Sequence, residues 1–357
     1  MPTLDFKKLF DYSLPQERIA QEPLVKRDDS KLLIINRETG EIQHKHFYDL
    51  ATLLGPEDVL VLNQSKVFPA RLFGKKDTGG MVEVLLISQQ THHAWKGISK
   101  PGLAVGKTVV FSNDVSGRVV EKNEEGEITI EFTYPHQTFF EALDSIGSTP
   151  IPGYIHSALS EKELRKRYQT VYAKQEGSAA APTAGLHFTN ELLALLKEKG
   201  VQIEYITLHV GLGTFQSLRE EHFKTNSLHR EYFEVSEEVA TRLNHAKELG
   251  KRIIAVGTTT TRTLETVAKE TGKLVPLSAE STLFIYPPYQ FRFVDSMITN
   301  FHLPQSSLLM LISAFGAQPN TLHKFVDFSL SILGRGYSKA IENEYRFFSF
   351  GDAMWIL

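Results

Sequence analysis

The first part of the chain alternates between apolar runs and polar turns, a pattern typical of an α/β unit. Residues 31–47 contain two apolar-rich segments on either side of the turn-forming residues 38–41, which predicts a pair of strands. A short helix is predicted around residues 47–54, and the compact apolar run 58–62 predicts a buried strand.

The pattern changes after Pro69 to short β-like runs that are separated by glycine, proline and asparagine turns. The runs cover residues 81–87, 93–98, 107–111, 117–122 and 127–132. Because these runs follow one another without a strong helix pattern between them, they predict a small barrel or sandwich. We therefore predict an inserted all-β barrel domain at residues 69–151.

The α/β pattern returns after the insert. Helices are predicted at residues 191–199, 236–250, 263–269 and 306–315, and strands at residues 201–210, 252–256 and 282–286. Such alternation favours a sheet covered by helices. The predicted fold class is α/β, with a discontinuous main domain formed by residues 1–68 and 152–357 and the barrel inserted between its two parts.

Composition narrows the classes of protein that fit this fold. The chain has 357 residues and no cysteine, which excludes disulfides, thiolate zinc sites and a cysteine nucleophile. Its formal net charge of −3 predicts no general affinity for nucleic acid. The N-terminus lacks the apolar segment of a signal peptide, and no stretch approaches ~18 continuous apolar residues, so we expect a cytoplasmic protein without a membrane helix.

Charge is unevenly divided within the predicted barrel. Residues 71–107 contain six Lys or Arg against two Asp or Glu, whereas residues 108–151 contain two against eight. This division fits either a solvated barrel with mixed faces or a basic side that follows a phosphate backbone. Residues 162–174 form a second basic segment, with five Lys or Arg.

Small, hydroxyl and imidazole residues cluster in four segments: 177–188, 208–215, 256–262 and 298–304. In the third segment a predicted strand runs into Gly257, four threonines and a helix. The free N–H groups at such a helix start favour an anion or a polar ligand, although a threonine-rich helix cap explains the same pattern. The segment 211–214 has the pattern G-x-G-T, in which glycines permit close approach to a ligand but predict no dinucleotide fold.

Four histidines lie in or near these segments. They are His187, His209, His229 and His302. His187 precedes a predicted helix start, whose positive dipole would lower the pKa of its imidazole. His229 and Glu231 share a face if they lie on a strand, and this pair fits either a base with its orienting group or a surface ion pair. Packing explains single buried histidines equally well, and because H-E-x-x-H is absent we predict no metal site.

Long motifs follow one another in order over nearly the whole chain: LPQERIAQEP, VLNQSKVFPARLFGKK, RYQTVYAKQEGSAAAPTAGLHFT, LHVGLGTF, VGTTTTRTLE, ITNFHLPQSSLLMLISAF and YRFFSFGDAM. In these motifs the sequence closely resembles the S-adenosylmethionine:tRNA ribosyltransferase-isomerase family of queuosine biosynthesis. The resemblance implies transfer of the ribosyl part of S-adenosylmethionine to 7-aminomethyl-7-deazaguanine at the wobble position of tRNA. Epoxyqueuosine-tRNA, adenine and methionine are the implied products. The implied fold, an α/β domain with an inserted barrel, agrees with the pattern above.

The resemblance also implies roles for individual residues. The candidates for proton transfer are His187, His209, His229 and His302, because imidazole titrates near neutral pH, and Glu231 is the candidate to orient His229. The sequence does not assign the base and acid roles among them. The residues predicted to contact the substrate are Thr183, Gly185, Gly211, Gly213, Thr214, Thr258, Thr259, Thr260, Thr261, Arg262, Thr299, Asn300, Tyr345, Arg346 and Asp352. The predicted tRNA surface consists of Arg71, Lys75, Lys76, Lys96, Arg165, Lys166 and Arg167. S-adenosylmethionine is a consumed substrate, no further cofactor or metal is expected, and the expected state is a monomer.

Two departures from the family pattern affect local loops. Arg230 stands where the family usually has a small polar residue, and Pro288 stands where it commonly has glycine. Two other classes of protein remain open from the sequence. A methyltransferase would release S-adenosylhomocysteine instead of adenine and methionine, and an RNA-binding barrel protein would bind tRNA without turnover.

Overall fold

The computed structural model describes residues 3–135, 138–211 and 218–357. Its strands are, in chain order, β1 (Lys31–Ile35), β2 (Ile42–His46), β3 (Asp58–Asn63), β4 (Ser65–Val67), β5 (Arg71–Lys76), β6 (Met81–Gln89), β7 (Ala94–Lys100), β8 (Thr108–Val110), β9 (Ser116–Lys122), β10 (Ile128–Thr133), β11 (Gly147–Ser148), β12 (Gln175–Ser178), β13 (Gln202–Leu208), β14 (Ser227–Val235), β15 (Arg252–Val256), β16 (Leu277–Leu283), β17 (Ser296–Asn300) and β18 (Ala353–Ile356). Its α-helices are α1 (Thr3–Lys8), α2 (Leu50–Leu53), α3 (Phe139–Ile146), α4 (Glu161–Arg167), α5 (Asn190–Glu198), α6 (Glu220–Thr225), α7 (Glu237–Glu248), α8 (Thr258–Ala268), α9 (Ser307–Phe315) and α10 (Ile332–Glu342).

The main sheet is mixed, and its strands follow the order β16-β14-β13-β3-β15-β17-β18-β1-β2. Strand β3 lies in the middle and pairs in parallel with β13 on one side and β15 on the other. All six residues of β3 are buried, as are those of β17 and β18. Continuous apolar runs of this kind are typical of strands that are covered on both faces.

Side-chain alternation along β3 divides the main domain into two cores. Val59 and Val61 pack into the core that α7, α8, α9 and α10 cover, whereas Leu60 and Leu62 pack into the core that α2 and α5 cover. Successive strand residues point to opposite faces, so one apolar strand supports two helical layers. This arrangement confirms the predicted α/β class. No helix among the described residues is long and apolar enough to cross a membrane.

The second large sheet has the order β11-β5-β6-β7-β10-β9-β8, and an additional pairing between β5 and β8 closes it into a barrel. Its interior is apolar and includes Val84, Trp95 and Ile130. The barrel predicted from the short β-like runs is thereby confirmed. The boundaries proposed for the insert, residues 69 and 151, stay a prediction.

Three elements differ from the sequence predictions. Helix α3 lies within the segment predicted as all-β, and the capping box of Thr138 and Glu141 that starts it is visible in the sequence. The helix predicted from residue 263 begins at Thr258, because the threonines form its first turn. The strand predicted at residues 282–286 ends at Leu283 as β16, since Phe284 and Ile285 are apolar core residues that leave the ladder.

Candidate functional site

A cavity with a volume of about 90 Å³ lies where β17 and the loop before α8 meet the turn at residues 180–184. The described residues that line it are Tyr154, Ala180, Ala181, Pro182, Thr183, Ala184, Val210, Gly257, Thr258, Thr259, Thr299, Asn300, Phe301, His302, Leu303, Ser306, Leu308, Phe348 and Ser349. None of them carries a formal charge when His302 is neutral.

The start of α8 supplies the cavity with free hydrogen-bond donors. Gly257 precedes the helix with a φ of 90°, a conformation that favours glycine, and no side chain caps the helix. Thr258 and Thr259 line the cavity, and the hydroxyl of Thr259 has no hydrogen-bond partner among the described residues. Uncapped N–H groups and a free hydroxyl at a helix start favour a polar or anionic ligand.

The next two threonines serve the helix itself. The hydroxyl of Thr260 donates to the carbonyl of Val256 at 2.8 Å, and the hydroxyl of Thr261 donates to that of Gly257 at 3.2 Å. Both residues are fully buried. Of the four threonines predicted to hold substrate, the structure therefore brings only Thr258 and Thr259 to the cavity.

Asn300 connects three segments at the inner wall. Its Nδ2 donates to the carbonyl of Phe348 at 3.2 Å and lies 3.1 Å from Nε2 of His187, while its Oδ1 accepts from the hydroxyl of Thr183 at 2.9 Å. Because the Phe348 carbonyl can only accept, the amide nitrogen faces it, and Nε2 of His187 must then be an acceptor. The proton of His187 consequently lies on Nδ1, which donates to the hydroxyl of Ser30 at 2.8 Å.

His187 is a positioning residue in this arrangement. Both ring nitrogens are bonded, the ring stacks on Phe47, and the side chain does not line the cavity. Burial, followed by the positive charges of Arg346 and Arg27, lowers the pKa of His187 to about 3. The predicted neutral imidazole is present, but burial rather than the helix dipole is the main cause.

His302 faces the cavity directly. Its Nε2 lies 2.9 Å from the hydroxyl of Thr299, and no described residue hydrogen-bonds its Nδ1. The hydroxyl of Tyr337 accepts from its backbone N–H at 2.8 Å, which fixes the residue at the end of β17. Burial lowers the pKa of His302 to about 3, so the ring is neutral at pH 7.

His209 lies behind the cavity wall, next to Val210. Its ring stacks on Tyr232, and a Cβ on Gly177 would lie 2.8 Å from its Nε2, so a glycine is required there. Its Nδ1 is buried without a hydrogen-bond partner among the described residues. Burial lowers the pKa of His209 to about 4.

The predicted pairing of His229 with Glu231 is not seen among the described residues. Glu231 instead accepts from a guanidinium N–H of Arg262 and, at 3.1 Å, from the N–H of Gly211. His229 contacts His222, and the pairing register of β14 shifts between Ser227 and Glu231. A guanidinium, which is always charged, stabilises a buried carboxylate, and this explains why Glu231 lies against Arg262.

Arg230, the first departure from the family pattern, lies on the surface. Its side chain is 76% exposed and forms an ion pair of 3.3 Å with Glu280 on β16. Adjacent strand residues point to opposite faces, so Arg230 points away from the buried Glu231. Pro288, the second departure, follows Pro287 through a cis peptide bond. In the described part of the chain, no group of three or more His, Asp or Glu side chains is arranged to hold a metal ion.

Several predicted substrate residues have structural partners instead. A carboxylate oxygen of Asp352 accepts from the backbone N–H of Lys31 at 3.1 Å, and its second oxygen accepts from the backbone N–H of Arg346 at 2.8 Å. The buried Tyr345 hydroxyl bonds His44. Gly185 packs against Tyr172, which leaves no space for a side chain, and Gly213 and Thr214 lie outside the described residues.

A wider groove of about 570 Å³ lies between the foot of the barrel and α4. Its cationic lining residues are Lys66, Lys162, Arg165 and Lys166. Arg165 is committed to Glu161 at 2.9 Å and to Asp144 at 3.3 Å, whereas Lys162 and Lys166 form no ion pair with the described residues. Arg167 donates to the carbonyl of Val25 and lies in a smaller cleft beside Arg346.

The predicted basic residues of the barrel do not form one patch. Lys75 pairs with Met81 at the start of β6, and Lys96 pairs with Ser88 near its end. Seven strand residues separate these positions, which corresponds to roughly 20 Å. Arg71 is half-buried and pairs with Glu83 at 3.1 Å. The unpaired lysines of the groove are therefore the more compact basic surface.

Residues that sequence reasoning missed complete the cavity. Tyr154 and Ser349 join hydroxyls at 2.7 Å on its rim, and Phe348 lines it with a φ of 70°, an unusual backbone conformation for an aromatic residue. The YRFFSFGDAM motif contains Phe348 and Ser349, so this motif could have pointed to both residues as part of the cavity. Nothing local in the sequence distinguishes Tyr154.

Comparison with known proteins agrees with this architecture. The chain is similar to the crystal structure of S-adenosylmethionine tRNA ribosyltransferase from Thermotoga maritima, with 36% sequence identity, a TM-score of 0.54, and coverage of 98% of this chain and 100% of that chain. Residues 7–356 match the family model for the queuosine biosynthesis protein. The match covers both the α/β sheet and the inserted barrel, and it identifies the chain as an enzyme of this class. The chain belongs to the queuosine biosynthesis protein family, as its motifs predict, and has a role in queuosine synthesis.

Proposed function

We propose that this enzyme transfers and isomerises the ribosyl part of S-adenosylmethionine onto 7-aminomethyl-7-deazaguanine in tRNA. The products are epoxyqueuosine-tRNA, adenine and methionine. Family membership supports this reaction, and the observation that carries it is the uncharged cavity at the uncapped start of α8. No additional cofactor takes part in the proposed reaction.

The cavity suits a sulfonium nucleoside in charge and in the polar groups that it presents. Since the pKa of His302 is lowered to about 3, that imidazole stays neutral at pH 7 and does not repel a sulfonium cation. Thr258, Thr259 and Asn300 supply polar contacts, while Val210 and Leu308 supply apolar surface for the nucleoside.

His302 is the imidazole to which we assign proton transfer. The positive sulfur of S-adenosylmethionine acidifies the 5′ carbon, and removal of that proton gives an ylide. Adenine then leaves by elimination, the exocyclic amine of the tRNA base attacks the sugar, and methionine leaves as the epoxide closes. His302 suits the first step because it lines the cavity and its Nδ1 has no partner among the described residues.

The groove beside α4 is the proposed tRNA surface. It is wide, carries the unpaired Lys162 and Lys166, and adjoins the barrel, whose Ile87 side chain approaches Gly211 near the cavity. Phosphate groups of a tRNA favour such unpaired cations. The reacting base would reach the cavity from this side.

The test is product analysis with tRNA that carries 7-aminomethyl-7-deazaguanine. We expect equal amounts of adenine and methionine per modified tRNA, and none with unmodified tRNA. Release of S-adenosylhomocysteine would instead show a methyltransferase, and tRNA binding without release would show a binding protein.

A matched pair of histidine variants tests the assigned residue. His302→Asn should lower turnover about 100-fold or more while tRNA binding stays unchanged, because general base catalysis has contributions of this order. His245→Asn, on the exposed side of α7, should retain the wild-type rate. Wild-type turnover in His302→Asn would remove His302 from the proposed reaction.

A further inference from the structure

Arg262 is a buried cation with only part of its guanidinium satisfied. It lies on α8, its side chain is 6% exposed, and its Nη1 donates to Glu231. Its Nε and Nη2 are buried and have no hydrogen-bond partner among the described residues. A buried N–H of a charged group that lacks an acceptor is costly, so this edge of the guanidinium is poised for a ligand.

A second arginine shows what this edge can hold. Nε and Nη2 of Arg242 donate to the two oxygens of the Glu204 carboxylate at 2.7 and 2.8 Å. These two nitrogens form a planar fork that matches a carboxylate in a bidentate way. In Arg262 no described residue occupies the same fork: Glu231 accepts from Nη1 and, through its other oxygen, from the N–H of Gly211.

Arg262 lies close to the proposed substrate cavity but is not among the described residues that line it. Arg262 follows Thr258 by about one helical turn on the same side of α8, and Thr258 lines the cavity. Gly211, which bonds Glu231, directly follows the wall residue Val210. None of the described residues that line the cavity is a cation, so a positively charged partner for a carboxylate bound there would lie beyond its wall.

We propose that the Nε–Nη2 fork of Arg262 binds the carboxylate at the amino-acid end of S-adenosylmethionine. This inference rests on the proposed function. A phosphate of the tRNA backbone suits the site less, because an arginine with a 6% exposed side chain lies too deep for a polymer surface. Glu231 acts as a positioning residue that fixes the guanidinium by its opposite edge.

The test compares two ligands that differ only in the carboxylate, S-adenosylmethionine and its decarboxylated form. Binding of each is measured by equilibrium dialysis on the full chain. The wild-type protein should favour S-adenosylmethionine by about 10- to 100-fold, the range for buried hydrogen bonds to charged groups. Arg262→Gln should abolish that preference and leave the affinity for the decarboxylated form nearly unchanged.

Two further variants keep the test decisive. The double variant Arg262→Gln with Glu231→Gln leaves no unpaired buried charge, so it reports on the fork where the single variant is poorly folded. Arg242→Gln is the matched control, and we expect it to keep the full preference.

Each other outcome overturns the inference. A preference retained without Arg262, or an equal loss of both ligands, shows a structural arginine. If the wild-type protein binds both ligands equally, the inference about the Arg262 fork is wrong, whereas the proposed function is not contradicted. A wild-type protein that binds neither ligand contradicts the proposed function and the inference together.

Discussion

Two arginine–glutamate pairs involve neighbouring strands and the same chemical groups, but they differ in burial and in how fully the arginine is hydrogen-bonded. Glu204 on β13 and Glu231 on β14 are both buried, and each meets an arginine from a helix that packs on the sheet. Arg242 is 53% exposed and gives both fork nitrogens to its partner, whereas Arg262 is 6% exposed and its fork nitrogens have no partner in the described part of the chain.

This difference separates structural charges from charges that are available to a ligand. A pair whose arginine is half exposed and whose fork is filled needs no further partner, and solvent screens its guanidinium. A buried pair with unmet donors remains costly until another group completes it. Unmet hydrogen-bond capacity, rather than residue type, therefore distinguishes the site from its surroundings.

The largest expected contrast is in stability. Arg262→Gln should destabilise the protein by about 3 to 5 kcal/mol, because it leaves the carboxylate of Glu231 buried without a counter-charge. Arg242→Gln should cost less, about 1 to 2 kcal/mol, because half of that arginine is in solvent and the buried Glu204 keeps a hydrogen bond from Gln202 at 3.0 Å. Denaturant unfolding measures both values. Adding Glu231→Gln to the first variant should recover most of its loss, and equal losses in the two single variants would contradict the distinction.

A smaller effect on the free energy of unfolding is expected from pH. It comes from His187, whose two ring nitrogens are both hydrogen-bonded. The pKa of His187 is about 3 in the folded protein and near 6.5 when unfolded, so the unfolded state binds the proton first as pH falls. The contribution of this neutral ring is therefore present above pH 6.5 and is lost as pH falls toward 3, by about 2 kcal/mol between pH 7 and pH 5.

The variant His187→Gln checks that sign. Its stability deficit relative to the wild-type protein should shrink by about 2 kcal/mol between pH 7 and pH 5, because glutamine does not titrate. Denaturant midpoints at pH 7, 6 and 5 measure the difference. A deficit that stays constant over this range would show that the ring is not kept neutral by burial.

The smallest expected effect is on tRNA affinity, where paired and unpaired cations again differ. Lys162→Gln with Lys166→Gln should weaken binding about tenfold and lower the salt dependence by about one per lost phosphate contact. Arg165→Gln should change the salt dependence little, because its charge is already paired with Glu161 and Asp144. Titration of labelled tRNA at several salt concentrations gives both quantities. An equal change in the two variants would place the tRNA elsewhere.

Much of the fold could be predicted because local patterns carry it. The apolar run of β3 and the turn-separated runs of the barrel have clear periodicities, and both regions form as predicted. Helix α10 went unpredicted, since Gly334 and Gly336 weaken a helix signal that packing supplies instead. The strand prediction for residues 284–286 was wrong, because a buried loop can be as apolar as a strand.

The sequence predicted which segments contribute residues to the candidate site, but it did not predict which side chains contact one another there. The threonine and asparagine positions at the cavity follow from motifs, and so does His302. The sequence could not show that Glu231 chooses Arg262 over His229, or that Asp352 bonds the backbone, because these contacts join residues far apart in the chain. Such pairings depend on burial, which only the folded chain defines.

The strand order has a consequence for synthesis on the ribosome. Among the described strands, β18 connects the pair β1–β2 to the rest of the main sheet. Strand β1, which begins at residue 31, therefore cannot form its parallel pairing until β18, which begins at residue 353, has been synthesised. At the usual speed of translation that interval is roughly 20 to 60 seconds. During it the apolar β1 has an unpaired edge, which makes the nascent chain a natural client for chaperones that shield such edges.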